Sequence, residues 1–390
     1  MYAKKVLKKL VEFKTVSAKP DFKEFEGASN FIAGELEKTG FCSEIFSKNG
    51  FPSVLAFSQG YEEAKEKIVF ISHYDVVPAG DGWETEPFEV VEKDGKIFAR
   101  GASDAKGGIA AFLGALKEIE RKECGIAFFC FADEEIGGKN GIRALLRERE
   151  ELFQKASVFY ILDCSTNGVE IGASGNLSGK ITLHGKAGHS AYPFRCTNAL
   201  EKGILLCSKL IEFGKEEANH VSKIAKVCDN PVNKYMWNRF SITIFRSGIK
   251  SNIIPGYAEI CFNWRFIPEE DPMERKNDLE KLIEETCREL GVRFSLDFFE
   301  YCPGYCISEE NSWVKRLKSC VENVMGKEVE CLATLGATDG NVIYVKTKKP
   351  TIGFGPIDED ANIHAANEFI RVSTLQAVEE VIKRFIQGYV

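Results

Sequence analysis

The chain has 390 residues, 44% of them hydrophobic and 28% charged, with a formal net charge of −7 at pH 7. That length exceeds what one core usually serves, so two domains are expected, and the apolar content excludes large-scale disorder. The negative charge argues against a nucleic-acid binder, which needs a basic footprint, and no apolar run reaches membrane-spanning length.

The N-terminal stretch MYAKKVLKKLVEF has the charge of a secretory leader, but Lys8 and Lys9 interrupt its apolar run. Val6, Leu7, Leu10, Val11 and Phe13 fall at helical spacing, which predicts an amphipathic first helix and a cytoplasmic protein. Residues 24–39 carry a second helical pattern. The apolar runs 68–72, 125–132 and 158–163 read as buried strands, and 107–120 as a helix opening on small residues. Buried strands alternating with helices predict an α/β fold with a mostly parallel sheet covered on both faces.

From residue 177 the style changes. A strand at 177–187, a helix at 197–213, strands at 240–247 and 256–266, a helix at 272–290 and a strand at 292–301 give the order β-α-β-β-α-β. This predicts a ferredoxin-like domain over 177–303, inserted into a larger domain made of 1–176 and 304–390, where a helix at 311–325 resumes the first style. The thirteen cysteines are scattered singly with no CxxC pair, which excludes zinc-finger and thioredoxin-like arrangements. They read as buried thiols. Cys302 and Cys306 flank a Pro-Gly turn, and a disulfide between them is left open.

Four segments place acids or histidine just after apolar strands or in turns, where open α/β sheets bind ligands. In ISHYDVVP, His73 and Asp75 are two apart and face the same way. That suits a metal ligand with an orienting carboxylate, or an ordinary hydrogen-bonded histidine. In ARGASDAKGGIAAF, Asp104 sits in a glycine-rich turn before a helix, as a ligand or as a turn residue. The GxxxxGK[ST] phosphate pattern is absent, which weighs against a nucleotide-binding protein. In FFCFADEEIGG, Glu134 and Glu135 point different ways, so one can ligate metal while the other handles protons, or both form a solvated helix start. Asp163 ends the strand YILD, and His364 follows a turn in ANIHAANEF. Histidines mixed with carboxylates suit zinc, with manganese or cobalt as the other fits. His184 and His220 read as ordinary polar residues, and His189, in HGKAGHSAYP, as a loop histidine or an exposed functional imidazole.

Taken together, HYDVVP, GASDAKGG, ADEEIGG, GKAGHSAYP, SNIIPG and NIHAANEF resemble, in order and over nearly the whole chain, signatures of one family. This is the co-catalytic metallopeptidase family of succinyl-diaminopimelate desuccinylase, acetylornithine deacetylase, aminoacylase, carnosinase-like dipeptidases and glutamate carboxypeptidase. The desuccinylase and deacetylase branch is the most similar, through NIIPG–NWRF and the last histidine motif.

The resemblance implies two divalent metal ions, with His73 and Asp163 on one, Glu135 and His364 on the other, and Asp104 bridging them ahead of a cis peptide. It makes Glu134 the general base and Asp75 the residue that orients His73. It makes the inserted domain a lid and homodimer interface, with His189 reaching the neighbouring subunit's active site and Asn252 and Arg265 binding substrate. The substrate implied is a small N-acyl amino acid or short peptide. Asp163 departs from the desuccinylase pattern, which generally has Glu there, and LDCSTNG lacks a GEP-like run. That keeps a dipeptidase or carboxypeptidase as the alternative. A non-catalytic homologue that binds an amino-acid derivative is the alternative of another class, although every expected position carries a competent residue.

Overall fold

The computed structural model describes residues 1–119, 124–228 and 234–388. The chain divides into two compact units, one of Met1–Ile171, Ile307–Leu332 and Val342–Val390, the other of Gly172–Cys306 and Ala333–Asn341.

In the first unit, Tyr2–Glu12 is helical because Ala3, Val6, Leu7, Leu10 and Val11 share one buried face. The buried Lys106 closes its C-terminal end, donating from Nζ to the carbonyls of Leu10 and Phe13 at 3.0 and 2.9 Å. The helix Phe22–Glu37 starts at Asp21, whose side chain accepts from the Lys23 amide.

The sheet of this unit runs in the spatial order Phe41–Lys48, Phe51–Ser58, Gly125–Phe131, Lys67–His73, Val158–Ile161, Thr351–Gly353 and then the strand beginning at Gly168. Its central four strands are parallel. An antiparallel hairpin, Phe41–Lys48 with Phe51–Ser58, extends one edge. The hairpin turns at Asn49–Gly50, with φ of 50° and 84°, the backbone sign that two-residue hairpin loops require. That dipeptide is the sequence signal for two strands absent from the periodicity reading.

Every residue of Gly125–Phe131 is buried, because the central strands are covered on both faces. On one face Tyr160, Phe70, Phe112 and Phe128 form an aromatic column with successive ring centroids 5.0, 4.7 and 4.6 Å apart. Phe112 comes from the helix Lys106–Glu118. On the other face Val69, Ile71, Phe129 and Phe131 pack with Leu145, Leu152 and Phe153. Gly107 lets that first-face helix begin at once after the Asp104 turn, since a Cβ there would lie 2.3 Å from the Ala102 carbonyl oxygen.

In the second unit, Arg239–Ser247, Tyr257–Phe266, Gly175–His184 and Arg293–Cys302 form, in that order, an antiparallel sheet. Helices Ala199–Glu217 and Pro272–Leu290 bury Leu206, Leu210, Leu279 and Ile283 with Phe262 and Trp264 of the sheet. The unit also takes in Ala333–Asn341. Asn341 Nδ2 donates to the carbonyls of Ser174 and Pro303 at 3.0 and 2.9 Å, a return that no apolar pattern announces. His184 hydrogen-bonds Ser295, and His220 Nδ1 lies 2.6 Å from Glu270. Cys302 and Cys306 carry thiols rather than a disulfide.

Phe112 bridges helix and sheet, so Phe112→Ala is expected to cost about 3–5 kcal/mol. Equilibrium urea unfolding checks this, and a loss under about 1 kcal/mol would show that the aromatic column is not a main support.

Candidate metal centre

The parallel strands deliver their carboxyl ends to one place. His73 is the last residue of the central strand Lys67–His73. On one side lies Gly125–Phe131, followed by Asp133 and the short helix Glu134–Ile136. On the other lies Val158–Ile161, followed by Asp163. Asp104 comes from the turn before Lys106–Glu118, with a cis peptide between it and Ala105. His364 comes from the loop before Phe369–Arg371 and holds a left-handed φ of 61°, a conformation that side-chain-bearing residues rarely keep without compensation.

These side chains meet. His73 Nε2 lies 3.1 Å from Asp104 Oδ1 and 3.5 Å from Asp163 Oδ2. His364 Nε2 lies 3.0 Å from Asp104 Oδ2 and 3.1 Å from Glu135 Oε2. Asp104 therefore belongs to two clusters, His73–Asp104–Asp163 and Asp104–Glu135–His364, each with its ligand atoms within 4.8 Å of one another. The His73 side chain is 2% exposed and that of His364 52%, so the pair is sealed at one end and open at the other.

The donor set fits divalent cations. His73 Nε2 and Asp163 Oδ1 are buried yet lack a partner in hydrogen-bond geometry. Buried polar atoms are rarely left so, and a cation would satisfy both. Three carboxylates also crowd two imidazoles. Burial, reinforced by the charge of Asp104, raises the carboxyl pKa of Asp163 and, against a hydrogen bond from His364 that lowers it, that of Glu135. Burial opposes the charged form of His73, but Asp104, Asp163 and Asp75 outweigh it and push the imidazole well above its usual range. Asp104 and Glu135 lift His364 to about 10.

Asp75 ties the two sides together. Its carboxylate accepts the backbone amides of Glu134 and Glu135, each at 3.1 Å. His73 Nδ1 lies 3.2 Å from its carbonyl oxygen and 3.4 Å from its Oδ1. Asp75 thus fixes where both acids begin and which nitrogen His73 turns toward the cluster.

Two supports escaped sequence reasoning. Glu368 is buried and accepts the amides of Gly101, Ser103 and Asp104 at 3.0–3.1 Å while pairing with the buried Arg100 at 2.7 Å. Glu170 accepts the Ser165 amide at 2.6 Å, just past Asp163. Glu368 stands four residues after His364 in NIHAANEF, and a lone acid there carries no signal of its backbone partners.

The substrate-binding candidates all lie in the second unit. His189 is exposed on a short strand paired with Ile253–Ile254, its Nδ1 accepting from the Ala191 amide at 3.0 Å. Asn252 is its neighbour, accepting the Ser190 amide at its carbonyl. Arg265 is elsewhere. It sits near the far end of Tyr257–Phe266, roughly 26 Å along an extended strand from the end beside Asn252.

The sequence model of peptidase family M20/M25/M40 matches residues 69–388. A curated relative, the succinyl-diaminopimelate desuccinylase of Sulfurovum sp., is 28% identical over 98% of this chain and 98% of its own length. An M20 family metallo-carboxypeptidase from Sulfolobus solfataricus superposes with a TM-score of 0.84 at 19% identity, over 100% of this chain and 99% of that one. A dinuclear metal binding M20 peptidase from Bacillus subtilis gives 0.69 at 15% identity, over 98% and 96%.

Two outcomes follow from the geometry. Raised imidazole pKa values mean that both histidines hold protons at neutral pH when no metal is bound, and a cation needs them neutral. Metal affinity should therefore rise between pH 6 and pH 8, with protons released on binding, in chelator-competition titrations; a pH-independent affinity would contradict this. Glu368→Ala strands the Arg100 charge and is expected to cost about 3–5 kcal/mol in urea unfolding and to weaken metal retention. Unchanged values of both would remove Glu368 as the support of the Asp104 turn.

Proposed function

Because the chain belongs to peptidase family M20/M25/M40, whose members are metal-dependent hydrolases of amide or peptide bonds, we propose that it cleaves the amide bond of an N-acyl amino acid, succinyl or acetyl. The observation that carries this is the sharing of Asp104 by two ligand clusters. His73 and Asp163 would hold one divalent ion and Glu135 and His364 the other, with Asp104 between. Zinc suits the mixed nitrogen and oxygen donors best, and cobalt or manganese would also fit.

When bound, two such cations polarise the scissile carbonyl and lower the pKa of water toward 7. The chain's own part is positioning and proton transfer. Asp75 pins the backbone at Glu134 and Glu135, so the first carboxylate takes a proton from the attacking water while the second stays with His364. Glu134 then hands that proton to the leaving nitrogen.

His189, Asn252 and Arg265 are proposed as substrate contacts. Their separation within the second unit is too long for one small substrate to touch all three of one chain. That supports a homodimer through this unit, in which His189 and Asn252 serve the partner's site. Exposed Ile204, Leu205 and Ile211 on the helix Ala199–Glu217 supply an apolar face for it. Action in the cytoplasm fits the thiols, and among the described residues no helix is long and apolar enough to cross a membrane. Asp163 favours, as the second reading, a dipeptidase or carboxypeptidase of the same family.

Chelation followed by dialysis should abolish hydrolysis of a panel of N-succinyl, N-acetyl and dipeptide substrates, and zinc, cobalt or manganese should restore it. Full activity without metal, or turnover of dipeptides alone, would overturn the proposal. Glu134→Gln should lower kcat by about 10²–10⁴-fold with metal content unchanged. Near-normal turnover, or lost metal, would remove Glu134 as the base.

A further inference from the structure

The second unit holds an arrangement that its own folding does not explain. Arg239 and Arg265 are directly opposed across the antiparallel strands Arg239–Ser247 and Tyr257–Phe266. Both are half-buried. Like charges facing each other across a sheet destabilise it, and partial burial removes the water that would screen them. Burial first, and then the neighbouring Arg265, lower the Arg239 guanidinium to about 10, and burial lowers Arg265 as well.

The usual remedy is a carboxylate, and among the described residues neither arginine donates a hydrogen bond to one. Arg239 Nη2 donates to Ser174 Oγ at 2.7 Å and to the Leu335 carbonyl at 3.3 Å, both neutral. Its Nε is buried without a partner. The guanidinium lies 5.3 Å from the Trp237 ring, which helps fix it in place. Arg265 Nε donates to Asn263 Oδ1 at 2.9 Å, which leaves its terminal nitrogens for a ligand. Glu300 is the acid that acts on Arg265 electrostatically, but its Oε2 already accepts from Asn176 Nδ2 and Ser178 Oγ at 3.1 and 2.9 Å. Neutral hydrogen-bond partners thus orient two forks, and the nearby Glu300 carboxylate directs its Oε2 to Asn176 and Ser178 instead.

We propose that the opposed Arg239 and Arg265 form a receptor for a dicarboxylate, and that Arg239 is the residue that selects substrates with two carboxylates over those with one. Planar guanidinium forks match carboxylates two-pronged, and two forks side by side match two anionic groups. The inference rests on the N-acyl amino acid reading and narrows it. An N-succinyl amino acid carries two carboxylates, whereas an N-acetyl amino acid carries one.

The test is calorimetric titration of succinate, acetate and phosphate into the metal-loaded full chain, for wild type, Arg239→Met and Arg239→Lys. Any carboxylate binding at the metals is common to all three proteins. Arg239→Met should weaken succinate about 10- to 100-fold and acetate less than about threefold. Arg239→Lys, which keeps the charge without the fork and guards against a misfolded variant, should fall between. Equal losses for succinate and acetate, or a loss for phosphate as large as that for succinate, would overturn the site. The two readings fail separately. If no N-acyl amino acid is cleaved while succinate binding still depends on Arg239, the hydrolase reading falls and the receptor stands. If wild type and variant cleave N-succinyl and N-acetyl substrates in the same ratio, Arg239 is not the selecting residue and the hydrolase reading stands.

Discussion

Asp104 presents one oxygen to each of two histidines, 3.1 Å from His73 Nε2 and 3.0 Å from His364 Nε2. Those histidines lie 291 residues apart in the chain, and the fold exists in large part to bring them to the same carboxylate. Three devices hold Asp104 there. The helix Lys106–Glu118 starts immediately behind it, Glu368 accepts three amides of its turn, and Arg100 neutralises Glu368. Each is buried, so each hydrogen bond is one that water cannot replace.

A cluster of carboxylates and imidazoles without cations stores electrostatic tension. Burial and mutual repulsion drive Glu135 and Asp163 toward protonation, while the same acids drive His73 and His364 to keep protons. Divalent ions relieve both tendencies at once, because they neutralise the acids and replace the protons on nitrogen. The second unit carries a smaller version of the same problem with the sign reversed. There two guanidiniums face each other with neutral hydrogen-bond partners, and a bound anion would relieve them. Function in this chain is concentrated where charge is left locally unbalanced by the fold.

Much of this was legible in the sequence because the relevant signals are local. Short, wholly apolar runs mark buried strands, and acids or histidine directly after them mark strand ends. His73, the pair Glu134 and Glu135, and Asp163 could therefore be placed at strand ends from pattern, while the division of roles between the two glutamates came only from the family resemblance. The order of strands and helices from 177 to 301 likewise carries the ferredoxin-like layer. The hairpin of Phe41–Lys48 and Phe51–Ser58 was missed because its outer strand alternates only weakly, and its clearest mark is the Asn49–Gly50 turn. Glu368 and Glu170 were missed for a different reason. Their role is to accept backbone amides of distant turns, and nothing in a side chain's identity announces which amide it will meet. The facing of Arg239 and Arg265 is a matter of strand register, which periodicity does not fix.

The central claim is that one carboxylate joins two cation sites, and anomalous diffraction from a zinc-loaded crystal, collected on either side of the zinc absorption edge, addresses it most directly. The account predicts two anomalous peaks per chain, one against His73 and Asp163, the other against Glu135 and His364, with Asp104 in contact with both. A single peak, or peaks that leave Asp104 untouched, would contradict it.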